Sequence, residues 1–288
     1  MHAAAHPIVY AIIRTPSEFH RAYSYLVPPM LHFKTHIIDI HAEWVTFVHG
    51  AGGSSNIWFK QLRDFGRHFN LLLVDLRGHG GSIKKSVDQH QPYTFQAIGD
   101  DVIQVLDHLG INKSHFIGIS LGTIIIRDLS ERHGHRIHSL VMGGAVMKLN
   151  LRGQIMMRIG LGLQTLVPYM LLYRIFAFII MPNKRHRESR VLFIREAKKL
   201  YQKEFQRWCR MLSELNPLLS LFRFRESGVP TLYIMGEEDY MFLPSISKLV
   251  QEHQSATLFV IPQCGHVVNI ERPEVFNIQA IEFMKMRA

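Results

Sequence analysis

The stretch that decides the fold is His115-Phe116-Ile117-Gly118-Ile119-Ser120-Leu121-Gly122. The apolar run through Ile119 predicts a buried strand, and Leu121 to Glu131, with apolar Leu121, Ile124, Ile125 and Leu129, predicts a helix. Ser120 therefore falls on the turn between them. At such a turn the serine backbone is strained. Small residues two positions either side, Gly118 and Gly122, let strand and helix approach, so the hydroxyl stands clear of the chain. The pattern G-x-S-x-G alone arises by chance in roughly one chain in ten of this length, so its weight comes from this setting.

Outward from Ser120, strand-like runs occur at Ile37 to Ile40, Trp44 to His49 and Leu71 to Asp75, then at Ser114 to Ile119 and Ser139 to Gly143. A helical pattern over Phe95 to His108 puts Ile98, Val102, Val105 and Leu106 on one face, with Leu109 just beyond. Strand character returns at Thr231 to Met235 and Thr257 to Ile261, and a final helix is predicted from Pro273 to Lys285 with proline in its first turn. Alternation of this kind predicts an α/β fold with a mostly parallel sheet flanked by helices.

Between about Met147 and Gly228 the alternation breaks. Leu151 to Met181 is apolar almost throughout, and the basic cluster Lys184, Arg185, Arg187 and Arg190 follows. Next comes one long amphipathic segment. Phe193, Ala197, Leu200, Tyr201, Phe205, Trp208 and Leu212 repeat at helical spacing, with Arg195, Lys199, Lys203 and Arg207 as a separate stripe. The plain expectation is a helix packed by its apolar face and solvated by its basic one. The expected division is a core of 1–147 and 228–288 and a helical insertion of 148–227.

The net charge of +10 is concentrated in that insertion: Lys148 to Glu226 holds 16 Lys and Arg against 5 Asp and Glu, and the remainder 17 against 18. A basic, apolar segment is suited to contact with an anionic membrane surface, whereas no recognisable nucleic-acid-binding module accompanies the charge. The longest uncharged run in the segment, Ile159 to Tyr173, is too short to span a bilayer and is interrupted by Pro168. The start of the chain lacks a signal-peptide pattern, and two cysteines, Cys209 and Cys264, make no disulfide framework. The expectation is therefore a cytoplasmic protein, peripheral at most to a membrane.

A serine hydroxyl needs a base within hydrogen-bond reach, and the base needs a partner that fixes its tautomer. His266, in Cys264-Gly265-His266-Val267-Val268, follows the last strand and is the candidate base among 18 histidines. Asp239, in Gly236-Glu237-Glu238-Asp239-Tyr240, follows another strand, where open parallel sheets gather their active sites; Glu238 is its nearest rival. Acyl transfer also needs N–H donors for an oxyanion. Leu121 N–H at the helix start is one, and Ala51 in His49-Gly50-Ala51-Gly52-Gly53 is the second, with Gly52 as the substitute if the loop is shifted. That loop is not a dinucleotide fingerprint, because Ser55 stands where the third glycine would be needed. His32 and His36, at helical i, i+4 spacing, and the cluster His133, His135 and His138 lack a metal-binding motif, so structural or solvent roles are expected of them.

Taken together, the His49-Gly50 loop, Asp75-Leu76-Arg77-Gly78-His79-Gly80-Gly81-Ser82, the Ser120 turn, Asp239, and Gly265-His266 followed by Glu271-Arg272-Pro273 make the chain resemble the α/β-hydrolase family. The resemblance covers the core on both sides of the insertion. It implies a cofactor-independent serine hydrolase with Ser120, Asp239 and His266 as catalytic triad; the substrate does not follow from the resemblance, because the insertion is unusually basic and apolar, and the expectation set beside it is a small-molecule carboxylic ester with an apolar acyl part. It also implies that the insertion is a cap, and that Asp75 to Ser82 shapes a loop, so His79 takes no catalytic role. Thioester, lactone and carbon-carbon bond hydrolysis, a lyase reaction, and a non-catalytic binding protein of the same fold stay open, because one scaffold hosts many chemistries.

Overall fold

The run of β-branched and aliphatic residues before the Ser120 turn forms a central strand of a sheet with seven strands among the described residues, and the run after it forms a helix packed on that sheet. The structure is a computed structural model and describes residues 30–83, 93–148, 151–163, 165–212 and 215–287. The start of the chain, for which no signal pattern was read, lies outside the described residues. The strands are β1 (His32–His36), β2 (Trp44–Val48), β3 (Asn70–Asp75), β4 (Ser114–Ile119), β5 (Ile137–Gly143), β6 (Thr231–Gly236) and β7 (Ala256–Ile261). Their spatial order is β1-β3-β2-β4-β5-β6-β7, and among the described residues only β1 runs antiparallel, against β3; the other pairings are parallel. Parallel pairing requires crossovers. In the core these include α1 (Phe95–His108), α2 (Leu121–Arg132) and α8 (Leu243–Glu252), and the closing helix α9 (Pro273–Lys285) follows β7. Between β5 and β6 lie α3 (Leu151–Leu163), α4 (Tyr169–Ile180), α5 (Arg187–Ala197), α6 (Gln202–Leu212) and α7 (Leu215–Phe224).

The central strands β3 and β4 are buried at every residue, as strands covered on both faces must be. Alternate residues Val45 and Phe47, Leu71 and Leu73, Ile117 and Ile119 share one cluster with Phe276, Ala280 and Met284 of α9. This packing fixes the carboxyl ends of β4, β6 and β7 relative to one another, and the loops carrying Ser120, Asp239 and His266 follow those ends.

Two expectations need correction. The strand expected at Ile37 to Ile40 is a turn, and the edge strand lies just before it at His32–His36. The Asn70 side chain accepts from Ile38 N at 2.8 Å and Asp39 Oδ1 accepts from His41 N at 2.7 Å, so local polar bonds replace a ladder and leave Ile40 exposed. His32 and His36 lie in that edge strand, and His32 Nδ1 pairs with Asp75 Oδ2 at 2.8 Å. Secondly, the single long amphipathic segment is two helices, α5 and α6, separated at Lys198 to Tyr201. The Tyr169 hydroxyl donates to Leu200 O at 2.6 Å across that break.

Among the described residues no helix is long and apolar enough to cross a membrane. The helices between β5 and β6 are tied to the core by several buried contacts. Trp208 Nε1 donates to Arg77 O at 3.1 Å, Ser54 Oγ donates to Glu196 Oε2 at 2.7 Å, and His186 Nε2 bonds Glu238 Oε2 at 2.8 Å.

Candidate active site

Ser120 has φ +52° and ψ −119°, a backbone conformation that a side chain bearing Cβ rarely adopts and that costs on the order of 1–3 kcal/mol. The surroundings hold it there. Its N–H donates to Gly143 O at 3.0 Å, and its carbonyl accepts from Thr123 N at 2.9 Å and Thr123 Oγ1 at 2.6 Å. A Cβ on Gly122 would stand 2.3 Å from Val48 O, and one on Gly118 would stand 2.8 Å from Gly122 itself. Only glycine at both positions lets α2 start directly over the ends of β2 and β4.

The three side chains singled out from sequence come together. His266 Nε2 lies 2.9 Å from Ser120 Oγ, and His266 Nδ1 lies 2.7 Å from Asp239 Oδ2. An ionised carboxylate only accepts, so Nδ1 carries the proton and Nε2 is left to accept from the serine hydroxyl. Both His266 and Asp239 are 2% exposed, which keeps water from competing for these bonds. Phe242 packs on the imidazole with ring centroids 5.1 Å apart. Glu238, the rival carboxylate, faces away from this chain of bonds: it takes His186 Nε2 and Asn183 Nδ2, whose hydrogen bonds hold its carboxyl below the usual range.

The loop after β2 brings Ala51 to the same place. Ala51 and Leu121 line one cavity with Ser120 and His266. Leu121 opens α2, so its N–H has no intrahelical acceptor. Gly52, the substitute donor, is already committed: its N–H donates to His79 Nε2 at 3.0 Å. Its φ of +67° and its missing Cβ also admit the Tyr173 hydroxyl of α4, which occupies the space a side chain would need. Asp75 anchors the neighbouring loop by accepting from Ser55 N at 2.6 Å and Gly81 N at 2.8 Å.

The cavity above Ser120 has a volume of about 300 Å³. Its walls are apolar, with Met157, Phe176, Phe193, Leu215 and Met241 among them, and no Asp, Glu, Lys or Arg stands among the described lining residues. Cys209 also lines it, with burial pushing its thiol up to about 12, so it stays protonated and unreactive there. Tyr173 lines this cavity, and Ser189 and Glu196 line a smaller one that also reaches Ser120, without any sequence signal having marked them; their spacing reads only as helix.

The fold, the strained serine and its bonded imidazole define a hydrolase-type α/β sheet enzyme. A model of the alpha/beta hydrolase family matches residues 47–279, and the chain belongs to that family. Its relatives are modestly similar in sequence. The 3-oxoadipate enol-lactonase 1 of Acinetobacter baylyi is 25% identical over 253 residues, covering 82% of this chain and 86% of its own. A putative carbamate hydrolase, RutD, of the same organism is 27% identical over 87% of this chain and 96% of its own. A putative esterase/lipase of Haemophilus influenzae is 24% identical over 88% and 87%. Among solved structures, a hydrolase from Oleispira antarctica superposes with a TM-score of 0.75 at 18% identity, covering 88% of this chain and 94% of that one, a likeness of fold. These relatives support hydrolase as the class of activity.

Proposed function

We propose that the protein is a serine hydrolase that cleaves carboxylic esters of apolar acids through an acyl-enzyme on Ser120. The observation that carries this reading is the unbroken path of bonds from Asp239 through His266 to Ser120 at the floor of an apolar cavity. Ser120 Oγ attacks the carbonyl carbon as its proton passes to His266 Nε2, and Asp239 stabilises the resulting imidazolium. The Ala51 and Leu121 N–H groups receive the oxyanion, a contribution of about 3 kcal/mol per donor in comparable sites. His266 then protonates the departing alcohol, and water clears the acyl group in a second round.

The cavity lining favours an uncharged acyl part, because a carboxylate placed there would find no Lys or Arg among the described walls and would lose its hydration uncompensated. This separates the reading from an anionic lactone substrate of the kind named for the Acinetobacter relative. The nucleophile assignment is tested with Ser120→Ala, which is expected to lower ester turnover by about 10⁴-fold or more and to abolish fluorophosphonate labelling. Ester hydrolysis at the wild-type rate in that variant refutes it. A panel of matched esters, thioesters and lactones of one apolar acid tests the ester assignment, with the ester expected to have the highest kcat/KM.

A further inference from the structure

A second, smaller chamber of about 40 Å³ shares Ser120, His266 and Ala51 with the large cavity. One wall is a single face of α5, where Ser189, Leu192, Phe193 and Glu196 recur at i, i+3, i+4 and i+7. Two polar groups on that face have capacity to spare. Ser189 is 1% exposed, and its Oγ has no hydrogen-bond partner, although a helical serine ordinarily bonds back to a carbonyl one turn earlier. Glu196 is 5% exposed; it accepts from Ser54 Oγ at 2.7 Å and Lys199 Nζ at 2.6 Å, and each carboxylate oxygen keeps a further lone pair. A buried hydroxyl left unbonded at the edge of a reaction centre has capacity for a polar group of a substrate or for a water.

We propose that this chamber is the alcohol subsite and that it accepts a short, neutral polyol of the glycol or glycerol kind. The inference rests on the ester-hydrolase reading above and adds the identity of the leaving group. Three features select that chemistry. The volume holds on the order of three water-sized groups, which excludes long or aromatic alcohols. The Glu196 carboxylate accepts from a hydroxyl and repels an anionic group. Ser189 Oγ donates to the same or a neighbouring hydroxyl oxygen. The apolar acyl chain then takes the large cavity, so the two halves of the substrate are sorted by size and polarity on either side of the reacting carbonyl. When the ester carbon–oxygen bond breaks, the alcohol oxygen takes the proton held on His266 Nε2. The polyol leaves as a neutral molecule, and the acyl group stays on Ser120 Oγ.

The test compares the full chain on two octanoate esters with equal heavy-atom counts in the alcohol, those of 1,2-ethanediol and 1-propanol. The wild type is expected to favour the hydroxyethyl ester in kcat/KM by about tenfold or more. Ser189→Ala and Glu196→Gln are each expected to bring that ratio toward one. A wild-type ratio of one overturns the inference, as does a ratio that both variants preserve. If the variants instead slow the clearing of the octanoyl-enzyme, which is common to both esters, the chamber serves the hydrolytic water and the inference is likewise overturned. Cleavage of neither ester overturns it too. Loss of fluorophosphonate labelling at Ser120 in addition overturns the reading beneath it, so the two failures are distinguishable.

Discussion

His49 and His79 are held neutral by the bonds they make. Each pairs Nδ1 with a carbonyl, Gly50 O at 2.8 Å and Arg77 O at 2.9 Å, and each offers Nε2 to a backbone amide, Leu76 N and Gly52 N, both at 3.0 Å. A second proton would set N–H against N–H in a dry site. Burial accordingly lowers both, His79 to about 3, and a third buried histidine, His115, falls to about 4. An unfolded histidine titrates near about 6.5. Between about pH 6.5 and these folded values the unfolded chain binds protons that the folded chain refuses, so stability is complete above about 6.5 and is lost as pH falls. Denaturant unfolding is expected to show a loss of about 2 kcal/mol for each of His79 and His115 between pH 7 and 4.5, and His79→Gln is expected to flatten that dependence by up to one proton. An acid dependence identical in the variant would remove His79 from the account. At this scale Ser120, His266 and Asp239 were legible as candidates because each follows a strand end. Ser189 was not, since its distinguishing property is a missing partner, which exists only in three dimensions.

Helices with a strong period of their own were legible in the sequence close to their observed bounds. Phe95–His108 begins with Thr94 accepting from Ala97 N at 3.1 Å, and Pro273–Lys285 begins with proline, so both carry their boundaries locally. The elements misread are those whose boundaries are set from a distance. His32–His36 is a half-exposed edge strand with two histidines, a lysine and a threonine in five residues, so its alternation is faint, while the neighbouring isoleucines look more strand-like and are not. Likewise, nothing between Phe193 and Leu212 breaks the helical period. The chain bends there because α4 delivers the Tyr169 hydroxyl to the freed Leu200 carbonyl, and Tyr169 and Phe205 pack with ring centroids 5.6 Å apart. Tyr169→Phe keeps the ring and removes the hydroxyl. It is expected to cost about 1 kcal/mol in denaturant unfolding, whereas an unchanged midpoint would show that the bend is held by packing alone.

Over the whole molecule, charge and apolar exposure coincide on the helices between β5 and β6. The residues from Lys148 to Glu226 carry 16 Lys and Arg against 5 Asp and Glu, and the rest of the chain is nearly balanced. Two of these helices reverse the usual pattern of a surface helix. On α3, Ile155, Ile159 and Leu163 face solvent together with Arg158; on α4, Leu171, Ile175 and Phe178 do so together with Arg174, and Leu166 in the connection is 79% exposed. Ile159, Leu163 and Ile175 also line the large cavity, which places its mouth within this apolar surface. We propose that the face rests on an anionic membrane surface. The isoleucine, leucine and phenylalanine side chains would enter the acyl boundary. The surrounding cations would add about 1 kcal/mol each at low ionic strength, and the cavity would take its acyl chain directly from the lipid layer. The expected result is co-sedimentation with phosphatidylserine-containing vesicles, weakened at least about tenfold by high salt and by the pair Leu166→Asp and Phe178→Asp, and absent with purely zwitterionic vesicles. Equal binding to both vesicle types would assign the attraction to apolar contact alone. No binding to either would leave the exposed face to a different partner and remove the membrane from the substrate's route.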